Sequence, residues 1–424
     1  MTGALVFVES NTTGTGRLMA RTAIKLGFRP IVLAANTERY AYVRQDNLAV
    51  RAIDTQSEFD VREACRVIAD TEGLAGVTSS SEYFVGVAAA VAEQLGRPAP
   101  PAAAIRACSD KSIQRRLLDQ GGIAVSAWRR AATVAEAVAA ALQLGWPAVL
   151  KPVSGSGSIG VKLCRDVEEV ADHAAVLLAR DVNERGMKVP QALLVESFVD
   201  GAEYSVEVFS LQIIGITAKR LGQLPHFVEI GHDFTAELTG RARAEIEGVT
   251  LGALRALGLE RGPVHVELRV GPHGPVIIEV NPRLAGGFIP ELVRLARGVD
   301  LIESNVRFAS GSPVALDAKW QRHASIRFLL APNPGVLAEV RGLDAAARVR
   351  NVVDATAYRA VGDAVTRCGD FRDRVGHVIA CGADRDEVIG DIAAAHRSIS
   401  LLVTPARSET ASPAAIASSS TERG

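Results

Sequence analysis

The sequence predicts a mixed α/β (α+β) protein with a parallel-sheet unit first, a larger strand-rich region in the middle and a small closing unit. Three observations predict it. Apolar runs alternate with helix-spaced patterns through residue 78. A strictly alternating segment at 264–280 is broken by turn formers. Beyond about 315 the pattern becomes short strands and turns again, with a helix at 384–397.

Composition narrows the function before any motif does. A chain of 424 residues can bury a large core, and 48% hydrophobic with 22% charged residues is ordinary for a soluble globular protein. A net charge of −1 gives no electrostatic basis for nucleic acid or an anionic membrane. Cys65, Cys108, Cys164, Cys368 and Cys381 show no CxxC spacing, which suggests reduced cytoplasmic thiols and neither a disulfide framework nor a zinc site. No basic leader precedes an apolar stretch, and no run reaches the ~18 apolar residues that span a bilayer. The expectation is a cytoplasmic protein acting on small molecules, with a homodimer as the common default for its oligomeric state.

The elements follow in chain order. Residues 3–8 are a buried-strand run, then comes the polar loop from Glu9 to Gly16, a helix from about Arg17 to Leu26, and an apolar strand from Pro30 to Ala34. A helix at 58–71 and a strand at Gly76–Thr78 continue the alternation, which implies a parallel sheet with helices on its faces. The loop at 9–16 lacks the third spaced glycine of a dinucleotide fingerprint, and no acidic residue tops the second strand. It is read as a candidate substrate contact. Gly96-Arg-Pro-Ala-Pro-Pro101 is a stiff linker. The second unit opens with a helix at 109–121 and a strand at 148–150. A helix near 166–184, strands at 193–199 and 203–210, and the hairpin follow. The Ser-, Ala- and Thr-rich tail from Thr404 has little to bury and is expected to be disordered.

The hairpin carries the chemistry. Val264–Val270 and Val276–Arg283 flank Gly271-Pro-His-Gly-Pro275. Pairing Val270 with Val276 sets Glu267 opposite Glu279, with Asn281 two residues along on the same face. Like charges opposite one another destabilise a sheet, whereas a divalent cation reverses that cost. Two carboxylates and an amide oxygen suit Mg²⁺. The alternative is a solvated charged face. Arg283, beside this group, can grip a planar anion bidentately.

Other segments could hold a phosphate or a base. Ser154-Gly155-Ser156-Gly157-Ser158-Ile159-Gly160 follows Lys151 at a strand end. Its backbone N–H groups and hydroxyls can face phosphate oxygens, although no Gly-Lys-Ser/Thr closes it as in a P-loop, and such runs also serve as plain linkers. Lys111 opens a helix capped by Ser109 or Asp110 and is either a second phosphate contact or a solvated lysine. Glu196 ends an apolar strand, an expensive place for an unpaired charge. Phe198, Val199 and Glu203 follow it, where an adenine edge and ribose hydroxyls could be met.

In this order the pieces resemble the ATP-grasp superfamily: a lysine near a helix start, Lys-Pro with a Gly/Ser loop, Glu-x-Phe-Val-x-Gly-x-Glu, then Glu…Glu-Val-Asn-Pro-Arg. The resemblance covers about residues 105–300, and the preceding unit is similar to that superfamily's parallel-sheet domain. It implies an ATP-grasp fold with a parallel-sheet domain at 1–97, a two-lobed ATP-binding region at 105–312 (lid lobe about 120–200) and a C-terminal subdomain at 315–403. It further implies Lys111 and Lys151 on the phosphates, Ser154, Gly155, Ser156, Gly157 and Ser158 in a lid loop, and Glu196, Phe198 and Val199 at the adenine. Glu203 would hold the ribose, and Glu267, Glu279 and Asn281 one or two Mg²⁺, with Mn²⁺ as a substitute. Arg283 would bind the carboxylate substrate and then the transferred phosphoryl group.

The segment Leu221–Asp233 resembles the substrate-side loop of the amino-acid ligase branch, with Glu229 or His232 placing an attacking amine, or the histidines merely on a surface loop. Lys219 and Arg220 could approach a phosphate or substrate carboxylate, and Gly286-Gly287 an oxyanion or simply a turn. The function implied is an ATP- and Mg²⁺-dependent carboxylate–amine ligase, forming an acyl phosphate and releasing ADP and phosphate. A bicarbonate-activating carboxylase of the same fold and a non-catalytic nucleotide-binding module are the alternatives. The first is kept open by the carboxylase-like look of 315–403, although the chain has no biotin-carrier motif.

Overall fold

The structure, a computed structural model, describes residues 3–12 and 14–405; from 406 the tail expected to be disordered lies outside the described residues. The first unit is a four-stranded parallel sheet in the order Ala49–Ala52, Arg29–Ala34, Ala4–Val8, Leu74–Thr78. Its faces are covered by helices that include Thr15–Lys25 and Glu58–Glu72, and Ser57 caps the second by accepting from the Asp60 N–H. The central strand Ala4–Val8 is buried throughout, as its unbroken apolar run demands. The strand order reverses beside it, so the loops after Val8 and Thr78 meet at the crevice where open α/β sheets bind ligands. Ser10 and Ser80 join across it at 2.7 Å.

An antiparallel lobe follows, in the strand order Trp128–Ala131, Leu193–Ser197, Ala148–Pro152, Lys162–Cys164, backed by helices Val134–Leu144 and Val167–Leu178. The second helix stops well short of residue 184. The Asn183 side chain accepts from the backbone N–H groups of Arg185 and Met187, a turn that competes with continued helix.

The third layer is an eight-stranded sheet, antiparallel at every pairing, in the order Gly274–Asn281, Pro263–Gly271, Ala202–Phe209, Gln212–Leu221, Glu229–Phe234, His323–Leu330, Arg374–Gly382, Val352–Ala357. Three strands of the segment at 315–403 therefore extend the central sheet. The rest of that segment includes a small sheet of Ala364–Val365, Gly335–Arg341 and Ser400–Thr404, and the helix Arg385–Ser398.

Two sequence expectations are corrected here. The hairpin turn is two residues, not five, because Gly271 pairs with Gly274 and Val270 faces Pro275 instead of Val276. A bulge between Glu267 and Leu268 absorbs the extra residue, Ile278, and returns Glu267 to its place opposite Glu279. The segment expected as a substrate-side loop is in part sheet. Glu229 and His232 lie on the strand Glu229–Phe234, leaving only 222–228 as the connection. The alternation Ile230–Gly231–His232–Asp233–Phe234 satisfies its backbone on both sides, against Gln212–Leu221 and His323–Leu330.

Candidate active site

A cleft opens between the antiparallel lobe and the central sheet, walled by both apolar and charged side chains. Lys111, Lys151, the loop Ser154–Ser158, Glu196, Phe198, Val199, Glu203, Glu229, Glu267 and Glu279 all line it. Their sequence separation exceeds 160 residues, yet six strands and one helix start bring them together. Asn281, Arg283 and His232 are not part of the lining.

The polar groups are paired with care. Asp110, the cap chosen from the two candidates, accepts from the backbone N–H groups of Ser112 and Ile113. It thereby aims the buried Lys111 ammonium at the Gly155 carbonyl (2.6 Å) and Glu279 (2.8 Å), so this lysine is not a solvated one. Glu196 is buried as its strand predicts, and it is not unpaired. Arg115 donates to one oxygen at 2.7 Å and Lys151 to the other at 2.6 Å. Burial lowers Lys151 to about 8 despite Glu196, while Glu196 is held below its ordinary range because Arg115 and Lys151 outweigh its desolvation.

On the sheet face, Lys219 stands among Glu203 (3.0 Å), Glu229 (2.5 Å) and Glu267 (3.2 Å). Burial opposes its charge, but those carboxylates together keep it firmly protonated. Arg374 takes the other oxygen of Glu229 at 2.5 Å and lies 3.9 Å above the Phe328 ring. Glu267 is backed by His265, whose ring nitrogens lie 2.9 Å from Glu207 and 2.9 Å from Glu267. Burial alone would lower this imidazole; the two carboxylates raise it to about 9, so both nitrogens donate. Beside Phe198 in the cleft, the Arg269 guanidinium lies 5.0 Å from the Phe198 ring and 5.6 Å from that of Phe227. It donates to the Val199 carbonyl (2.7 Å) and to Glu203 (3.1 Å), fixing the connection 199–203.

Beyond the lining the construction differs. His232 is fully buried, edge-on to Phe328, and neither ring nitrogen has a hydrogen-bond partner among the described residues. Glu229 is 3.6 Å from its Nε2, beyond hydrogen-bond reach, and burial lowers this imidazole to about 3 despite that neighbour. It is no surface histidine. The Gly287 backbone passes so close that a Cβ there would sit 2.6 Å from His232 Nε2. Arg283 pairs with Glu82, at the ligand crevice of the first unit, and donates to the Leu284 carbonyl at 3.0 Å.

Glu267 and Glu279 face each other in register, and each is neutralised by a lysine, Lys219 and Lys111. Two pocket-facing carboxylates with the Asn281 amide nearby suit a hard cation that takes its remaining oxygens from phosphate and water. Among the described residues no group of three or more His, Cys, Asp or Glu side chains is set to hold a metal by itself. Sequence reasoning missed Arg115, Glu207, His265, Arg269, Phe227 and Glu82. Arg115 had a usable signal: it lies one helical turn after Lys111, on the same face.

Residues 144–291 match the ATP-grasp domain, and residues 327–404 match the L-amino acid ligase C-terminal domain 2. An uncharacterized protein of Sinorhizobium fredii, y4rH, is 37% identical over 96% of this chain and 84% of its own length. Carnosine synthase 1 of Gallus gallus is 30% identical over 48% of this chain, which spans 24% of that protein. A crystal structure of L-amino acid ligase from Bacillus licheniformis superposes with a TM-score of 0.79 at 20% identity, covering 95% of this chain and 99% of that one. The fold and these matches thus place the chain among the ATP-dependent ligases of this fold. The chain belongs to the ATP-grasp family, in its L-amino-acid-ligase-like branch. The segment that had left a carboxylase reading open is the one that matches the amino-acid ligases.

Proposed function

We propose that the protein joins the carboxylate of one amino-acid-like substrate to the amine of another, converting ATP to ADP and phosphate through an acyl phosphate. The observation that carries this is the convergence of Lys111, Lys151, the Gly/Ser loop, Glu267 and Glu279 on one cleft, with Arg283 just beyond Asn281. A pure binding module has no need of that constellation.

In this reading Lys111 and Lys151 exchange their carboxylate partners for phosphate oxygens, and the loop Ser154–Ser158 closes over them and excludes water. Glu196, Phe198 and Val199 border the base, and Glu203 the ribose. Arg283 holds the substrate carboxylate, one oxygen of which attacks the γ-phosphorus while the bridging oxygen leaves with ADP. Glu267, Glu279 and Asn281 would hold Mg²⁺, with Mn²⁺ as a substitute; the ion supplies charge neutralisation on the phosphates. The amine nitrogen, placed by Glu229 and His232, then attacks the acyl carbon, and phosphate departs with the C–O electron pair. The departing phosphate, a stronger base than the buried His232 that burial holds at about 3, takes the proton the amine sheds. We further infer that substrates are small molecules and the site of action cytoplasmic; no helix among the described residues is long and apolar enough to cross a membrane.

ADP release with ATP and Mg²⁺ across single and paired amino acids, with and without bicarbonate, tests the reading. Release that requires a particular pair is expected. Release that requires bicarbonate instead would replace the ligase by a carboxylase, and ATP binding without release across the panel would favour a regulatory module.

A further inference from the structure

We propose that His265, braced by Glu207, is a positioning residue for the carboxylate of Glu267, and that the pair sets the affinity of the site for its divalent cation. This rests on the reading of Glu267 as a magnesium ligand.

The geometry begins with strand register. His265 pairs with Glu207 and Glu267 with Ser205 across the adjoining strands, so all four side chains share one face of the sheet. His265 Nδ1 lies 2.9 Å from Glu207 Oε1 and Nε2 lies 2.9 Å from Glu267 Oε1, and Ser205 donates its hydroxyl to that same Glu207 oxygen at 3.0 Å. The imidazole is 4% exposed and Glu207 is 3% exposed, so neither group faces bulk water.

A carboxylate on a strand can still turn about its last torsion, which presents either oxygen or both to the cleft. Tying Oε1 to a ring that is itself tied to a second carboxylate removes that freedom. Oε2 is left facing the cleft, where it now meets Lys219 at 3.2 Å. A fixed oxygen costs less ordering on binding than a rotating one. The same device, an outer hydrogen bond that orients a ligating side chain, is general in metal sites.

A role confined to packing would not require this arrangement. Burying a carboxylate at Glu207 is costly, and an apolar pair of similar size would fill the same space without that cost. Glu207 also lies outside the cleft lining, so contact with nucleotide does not explain it.

The test is Mn²⁺ binding to the full chain in the presence of ADP, read from the resonance signal of free Mn²⁺. Wild type, His265→Gln, Glu207→Gln and Glu267→Gln are compared, with ADP binding in chelator measured alongside. His265→Gln is expected to raise the Mn²⁺ dissociation constant about 10- to 100-fold and Glu207→Gln about 10-fold, while metal-free ADP binding stays within about twofold of wild type. Unchanged Mn²⁺ affinity in either folded variant overturns the positioning role, and so does an equal loss of metal-free ADP binding. Should His265→Gln not fold, the near-isosteric Glu207→Gln carries the comparison. A different result marks failure of the underlying reading: if Glu267→Gln binds Mn²⁺ like wild type, Glu267 is not a ligand and the proposal falls with it.

Discussion

The cleft and the region beyond its lining, around His232 and Arg283, are constructed on opposite principles. Around the cleft, Lys111, Lys151, Arg115, Lys219 and Arg269 each have a carboxylate partner, and the groups come from the helix that Lys111 opens, the antiparallel lobe and the central sheet. Beyond the lining, His232 has no hydrogen-bond partner among the described residues. There Arg283 leans on Glu82 from the first unit, while Glu229, within the lining, leans on Arg374 from the far side of the sheet. A site for a constant ligand can be completed in advance, with each charge waiting on a neighbour it will exchange for phosphate. A site for a ligand that varies between relatives is left with unmet polar groups and is assembled from segments that can change independently.

The sharpest way to break this contrast is to remove one group from each region. Glu279→Gln and Arg283→Ala should each lower turnover by about 10³-fold, roughly 4 kcal/mol in barrier, with the melting temperature little changed. Steady-state ADP release with the preferred substrates measures both, and full activity in both variants would remove the site assignment. If the two regions differ as described, Arg283→Ala should spare ATP binding, whereas Glu279→Gln should weaken binding of the metal–nucleotide complex.

Next in size is the prepaid pairing itself. Arg115→Met leaves the fully buried Glu196 with Lys151 alone, and should destabilise the protein by about 3–5 kcal/mol. Denaturant unfolding reads this, and a loss below about 1 kcal/mol would mean the cleft does not depend on its ion pairs. A smaller effect follows from Lys151, which burial holds at about 8 in the nucleotide-free protein. It is charged below that pH and neutral above it, so kcat/KM for ATP should fall as pH rises through about 8. Lys151→Arg should shift that fall upward, and a profile unaltered by the change would assign the limb elsewhere. The smallest effect is at the lid. Phe371 packs on Gly157, where an added Cβ would sit 2.6 Å from the ring. Phe371→Ala exposes one edge of the loop and should raise KM for ATP by less than about fivefold, the scale of a half-exposed contact.

How much of this was legible in the sequence depended on distance along the chain. The Gly/Ser loop after Lys151, the N-cap before Lys111 and the facing pair Glu267–Glu279 are written in local alternation and turn chemistry. The pair survived even though the turn was misread, because a bulge at Ile278 restored the register. Arg115 and Glu196 are 81 residues apart, and Glu82 and Arg283 are 201 apart. Nothing local marks such pairs, since a buried arginine and an exposed one look alike until the fold closes around them. The strands of 323–382 were readable as strands, but not as members of the central sheet. Hydrogen-bonding edges are backbone properties and leave no side-chain signature to say which edge they will meet.

That shared sheet has a consequence for how the protein can be taken apart. Glu229–Phe234 carries catalytic candidates on its side chains and is paired from Gly231 to Phe234 with His323–Leu330. Cutting the chain near 312 would strip that partner and leave a row of bare backbone donors and acceptors, an invitation to self-association. Modular shuffling, by gene fusion or in the laboratory, can therefore exchange loops around this fold, but it cannot lift out the ATP-binding segment as a free-standing cassette.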